Sequence, residues 1–120
     1  MQLLSDDWFA AAQRALAEVE APDGERVVIG QVVTDGPNGT VAYRLEVEDG
    51  RVRLERGDDG AAVTLTMPWR LAREIATGQA SAQQAVLSGE LQLVGDPRVL
   101  VAHTEIAGAV AAALSSLEVD

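Results

Sequence analysis

TVAYRLEVEDGRVRLERGDDGAAVTLTM, residues 40 to 67, is strictly patterned. Val41, Tyr43, Leu45 and Val47 alternate with Ala42, Arg44, Glu46 and Glu48. Asp49-Gly50 follows, a dipeptide suited to a two-residue hairpin because both positions tolerate positive φ. Val52 and Leu54 then alternate with Arg51, Arg53 and Glu55. After a second turn, GDDG, Val63, Leu65 and Met67 alternate with Ala62, Thr64 and Thr66. Successive side chains of a strand point to opposite faces, so period-two alternation describes strands with one dry and one wet face. The spacing predicts an antiparallel meander. Tyr43, Leu45, Val52, Leu54, Val63 and Leu65 should be buried, and Arg44, Glu46, Arg51, Arg53 and Glu55 exposed, their charges paired across strands.

Upstream, RVVIGQVVT (26 to 34) reads as a further strand, in which Gly30 signals a bulge or the close approach of another backbone. Before it, Ser5 is placed to cap a helix, with Asp6 and Asp7 at its positive end. Trp8, Phe9, Ala12, Ala15, Leu16 and Val19 recur at helical spacing, and Pro22, Asp23 and Gly24 end the helix. Downstream, Pro68 opens a helix that Gly78 closes; Ser81 caps a short helix that Gly89 ends. ELQLVG is a last strand, and Asp96 and Pro97 start a final helix that should run to about Leu114. Gly78 and Gly89 should take positive φ as helix-ending residues.

The chain has 120 residues, the size of one domain, and no internal break suggests more than a single unit over residues 1–120. Hydrophobic residues make up 48%, enough for a core, but Trp8, Phe9, Tyr43 and Trp69 are its only aromatics. That core must therefore be built from Leu, Val, Ile and Ala. There is no cysteine, which rules out disulfides and thiolate chemistry. The acids number 19 against 9 bases, all Arg, for a net charge of −10. That sign opposes phosphate backbones and anionic lipid, so no nucleic-acid partner is expected. No apolar run approaches the ~20 residues that span a bilayer, and no stable membrane insertion is expected. The opening MQLLSDDWF lacks a basic region followed by a long apolar run, so a cytoplasmic location is expected.

Catalytic constellations are missing. His103 is the single histidine, and its sequence neighbours supply no ligand cluster. Its helical position sets it with Val99, Ile106 and Val110, where a core or interface histidine is the reading that costs least. The acid pairs Glu46/Glu48 and Asp58/Asp59 lack calcium-loop spacing, and GPNG and GDDG lack the Lys of a phosphate loop. We expect no enzyme, no cofactor and no metal.

The ordered set of Asp49-Gly50, Thr64 to Met67, Thr77-Gly78, Gln84-Ala85 through Gly89, and Gly95-Asp96 resembles the sterol carrier protein 2 family across roughly residues 25 to 115. The resemblance implies an α+β fold: a five-stranded, mainly antiparallel sheet covered on one face by helices, with an apolar tunnel between them. It also implies non-catalytic binding of a hydrophobic small molecule (a sterol, fatty acid or acyl chain). The domain occurs in the family as an accessory part of larger enzymes too. The alternative is thus an interaction module, a homodimer or an accessory subunit of a partner enzyme. The candidate lining residues for a ligand are Trp69, Ile75, Val86, Leu87, Val99, His103, Ile106 and Val110. Each taken singly is also ordinary core. His103 stands as the polar group of that stripe, facing a ligand, a symmetry mate or the core.

Overall fold

The computed structural model describes residues 1–119. Helix α1 (Asp6–Leu16) is followed by strands β1 (Val27–Gly36), β2 (Gly39–Glu48), β3 (Arg51–Arg56) and β4 (Val63–Pro68). Then come α2 (Trp69–Ala76), α3 (Ala82–Ser88), β5 (Gln92–Gly95), α4 (Pro97–Ala102) and α5 (Thr104–Ser115). The five strands form one α+β sheet in the order β3-β2-β1-β4-β5, antiparallel at every junction except β1–β4. Ser5 caps α1 as the sequence predicts, its hydroxyl accepting from the Trp8 amide at 3.2 Å. Gly78 (φ 79°) and Gly89 (φ 85°) take the left-handed conformation. At Gly78 its amide and that of Gln79 close back on the carbonyls of Ile75 and Glu74, which satisfies the open end of α2.

The meander is corrected at its last step. β4 does not lie beside β3 but crosses to the far side of β1 and pairs with it in parallel, Ile29 opposite Val63 and Val33 opposite Met67. The crossing is made by residues 57 to 62 over the face opposite the helices. It is held there by Gly57 N–H to Ala42 C=O and Ala62 N–H to Val28 C=O, both at 2.8 Å. Gly30 lies beneath it: a Cβ at this position would stand 3.0 Å from Ala61 Cβ and 3.2 Å from Asp58 Cβ. Gly30 therefore marks a close approach of the crossing, and a side chain in its place would have to push Ala61, Asp58 and Thr64 aside.

The crossing also explains a second departure on this face. Arg51, Arg53 and Glu55 are exposed, but Arg44 and Glu46 are half-buried. Arg44 pairs with Glu46 at 2.7 Å and donates to the Arg56 and Gly57 carbonyls at the start of the crossing.

On the inner face the strand registers lay residues in rows. Ile29, Leu45, Leu54 and Val63 form one, all buried; Val27, Val47 and Val52 form another. α1 covers β3, and Trp8, Phe9 and Tyr43 meet edge to face with ring centroids 5.2 to 5.9 Å apart. α5 packs against α1, burying Ile106 and Val110.

The expected single final helix is broken. His103 has φ −119° and ψ 31°, outside the helical region, and separates α4 from α5. One local and one tertiary contact accompany the break. The Thr104 hydroxyl donates to the carbonyls of Leu100 and Val101, and the His103 ring is drawn out to Glu25.

Candidate functional site

One row of the inner face is not closed. Gln31 in β1 stands opposite Tyr43 in β2 and Leu65 in β4, and Leu65 stands opposite Leu93 in β5. Tyr43 is buried, but Gln31, Leu65 and Leu93 are only half-buried. Leu65 was expected in the core. Its neighbours along β4, Val63 and Met67, are buried.

The cause lies in the helices above. α4 buries none of its residues, and α3 buries only Ala85. Short helices joined by positive-φ glycines cannot lay a continuous apolar stripe on the sheet. Val86, Leu87 and Val101 are left 43%, 86% and 75% exposed on α3 and α4.

The polar content of this region is small and specific. The Tyr43 hydroxyl donates to Gln31 Oε1 at 2.7 Å, and burial pushes the phenol above its ordinary pKa, so it stays protonated. His103 Nδ1 pairs with Glu25 Oε1, both side chains largely buried, which fastens the α4–α5 junction to the chain entering β1. Neither Gln31 nor Glu25 stood among the candidates from sequence. Glu25 is 78 positions from His103, beyond the reach of any local pattern. Gln31 did interrupt an otherwise apolar inward series of Val27, Ile29 and Val33, and that polar intrusion was its one signal.

The sequence candidates do not share one enclosed space. Trp69 lies half-buried, its ring 3.2 Å from where a Cβ on Gly36 would stand. Ile75 and Val99 are half-buried on α2 and α4 and pack against the core. Val86 and Leu87 face outward, Ile106 and Val110 are packed into the core, and His103 is engaged by Glu25. A gap beside Trp69, between Leu3, Leu4, Val33 and Val41, measures about 10 Å³, room for one water at most. A groove of about 430 Å³ lies on the opposite flank, between α1 and β3, lined by Phe9, Ala10, Gln13, Leu54, Glu55 and Arg56. Among the described residues no group of three or more His, Asp or Glu side chains is placed to hold a metal, and no helix is long and apolar enough to cross a membrane.

A five-stranded mixed sheet with one helix-covered face is the fold this chain shares with the sterol carrier proteins. The chain belongs to the SCP-2 sterol transfer family, whose pattern it matches over residues 5–107. No curated protein matches it. Among solved structures it is similar to sterol carrier protein 2, with a TM-score of 0.76 at 19% identity, covering 98% of this chain and 100% of that one. It is also similar to a conserved hypothetical protein of Thermus thermophilus, with a TM-score of 0.74 at 19% identity and coverage of 100% and 92%. A palmitated SCP2L2 of Aedes aegypti aligns with a TM-score of 0.63 at 15% identity, over 88% and 95% of the two chains. These likenesses establish the shared fold.

Proposed function

We propose that the protein binds a long apolar molecule without transforming it, and that the ligand enters between the sheet and the α2–α4 layer. The observation that carries this reading is the half-buried row Gln31–Leu65–Leu93 beside the fully buried row of Ile29, Leu45, Leu54 and Val63. Membership of a sterol transfer family supports it, as does the palmitated state of one structural neighbour.

Ligand pockets run to about 300 Å³ or more, far above the 10 Å³ gap beside Trp69. The 430 Å³ groove lies on the other flank, between α1 and β3, so binding over the Gln31–Leu65–Leu93 row requires a wall to move. α4 is that wall: it buries no residue and ends at a non-helical hinge, and the Glu25–His103 pair fixes the hinge while α4 swings. Displacement would let Ile75, Val99 and the now-exposed Val86, Leu87 and Val101 close over an apolar chain together with Trp69. We place the protein in the cytoplasm, with no nucleic-acid partner, on the strength of its −10 charge and its apolar runs.

A fluorescent fatty acid and a fluorescent sterol titrated at micromolar concentration test the reading, alongside native mass spectrometry of protein from its own host. Saturable binding of one probe, or a co-purified lipid, is expected; no binding of either, with a bare mass, would overturn it.

A second reading rests on a separate feature. β5 ends the sheet, its outer side bonds to nothing among the described residues, and Val94 is 61% exposed. An accessory or homodimeric role through that edge predicts a concentration-dependent dimer in sedimentation, abolished by Val94→Lys.

A further inference from the structure

Resting on the apolar-carrier reading, the floor of the site says something about the ligand's polar end. Gln31 is the one polar side chain among the half-buried residues of the row, flanked by Leu65 and Leu93 on one side and Tyr43 on the other. The Tyr43 hydroxyl is buried and has a single partner, Gln31 Oε1. A buried O–H needs an acceptor, and this fixes the orientation of the amide. With Oε1 held by the Tyr43 hydroxyl, the amide NH2 is the arm of the planar group left over for another partner. That NH2 has no partner among the described residues. When a ligand excludes water from the row, these two N–H donors are left without an acceptor unless the ligand supplies one.

The charges around the row decide which acceptor is tolerated. Arg56 shares the row but sits two strands away, about 10 Å, beyond the Tyr43 ring. Its guanidinium lies over the Phe9 ring at 4.2 Å and pairs with Asp6 at 2.6 Å. Arg70 is held by Glu74 and Glu90, and Arg98 by Asp96. Arg44 lies on the opposite face, bound to Glu46. His103 is tied to Glu25 in the chain entering β1, roughly 20 Å along the chain from Gln31. A carboxylate drawn onto Gln31 would be desolvated with none of these cations paired to it, inside a protein of net charge −10. A neutral oxygen meets the amide without that cost.

We infer that Gln31 reads the polar end of the ligand, and that this end is an uncharged oxygen, a hydroxyl or ester, rather than a carboxylate. Gln31 Nε2 donates to that oxygen while Oε1 keeps its bond from Tyr43, and the hydrocarbon lies over Leu65 and Leu93. The protein is a carrier of neutral lipids that discriminates against free fatty acid.

Hexadecanol and palmitic acid, matched in chain length, displacing one neutral fluorescent apolar probe, test this at neutral pH. The wild type is expected to favour the alcohol by roughly tenfold or more, and the Gln31 side-chain NH2 resonances should move with the alcohol but not with hexadecane. Gln31→Leu should erase the preference. Because that change orphans the Tyr43 hydroxyl and can impair folding, the double variant Gln31→Leu/Tyr43→Phe, which removes both polar groups together, carries the same expectation. Tyr43→Phe alone should retain the preference. Equal affinity of the wild type for alcohol and acid, or a preference that survives in the double variant, overturns the inference and leaves the carrier reading standing. Failure of any apolar probe to bind overturns both.

Discussion

The two edges of the sheet are built to different standards. At the β3 edge, α1 lies close against the strand, and one of its side chains finishes the ladder. Gln13 accepts from the Leu54 amide at 3.2 Å and donates to the Leu54 carbonyl, so a glutamine stands where a next strand would have been. Beneath it Val52 and Leu54 are buried, and Trp8, Phe9 and Tyr43 interlock. At the β5 edge nothing among the described residues finishes the ladder, Leu93 is half-buried, and the helices above keep Leu87 and Val101 in water. Exposed strand edges invite association, and proteins ordinarily cover them. This chain covers one edge with a side chain and leaves apolar surface at the other, so the β3 side supplies stability and the β5 side is free to move. Low local stability is where ligand-gated motion is drawn from.

The largest effect should fall on the tight side. Leu16, fully buried at the end of α1, is expected to cost about 2–5 kcal/mol when changed to Ala, against about 1 kcal/mol for Leu93→Ala at the loose edge, both read by urea denaturation. Equal losses would dissolve the contrast. Next comes the crossing that joins the two sides. Gly30→Val puts a side chain under residues 58 and 61 and should destabilise by about 1–3 kcal/mol, because the crossing must lift. A melt identical to wild type would mean the crossing is loosely held. Smaller again, Gln13→Ala should lose about 1 kcal/mol and promote self-association in analytical ultracentrifugation by opening the β3 edge. The smallest effect belongs to α3: Leu87→Ser should leave stability within about 0.5 kcal/mol while weakening binding of an apolar probe. A large stability loss there would show that α3 is structural.

Much of the tight side was legible in the sequence, and little of the loose side. Alternation through Tyr43, Leu45, Val52 and Leu54 gave the dry face because a one-residue slip would turn every one of them outward. Ser5 and Gly78 gave helix ends because few residues can satisfy those backbone positions. Gly30 gave the close approach. Alternation says which way a side chain faces but not which strand lies alongside, so the step of β4 across to β1 was invisible. The half-exposure of Leu65 depends on how well α2 and α4 cover it, which is tertiary packing. The break at His103 depends on Glu25, brought near only by the fold. Gln31 was visible as a polar residue in an apolar strand, but its pairing with Tyr43 required the register.

Hydrogen exchange by mass spectrometry, with and without saturating hexadecanol, tests most directly whether the loose side is the binding side. The free protein should exchange fast across α3, β5 and α4, residues 82 to 102, and slowly across β1 and β2. Ligand should protect residues 82 to 102 and leave α1 and β3 unchanged. Protection confined to α1 and β3, where the 430 Å³ groove lies, would place the ligand on the wrong side of the sheet and contradict the account.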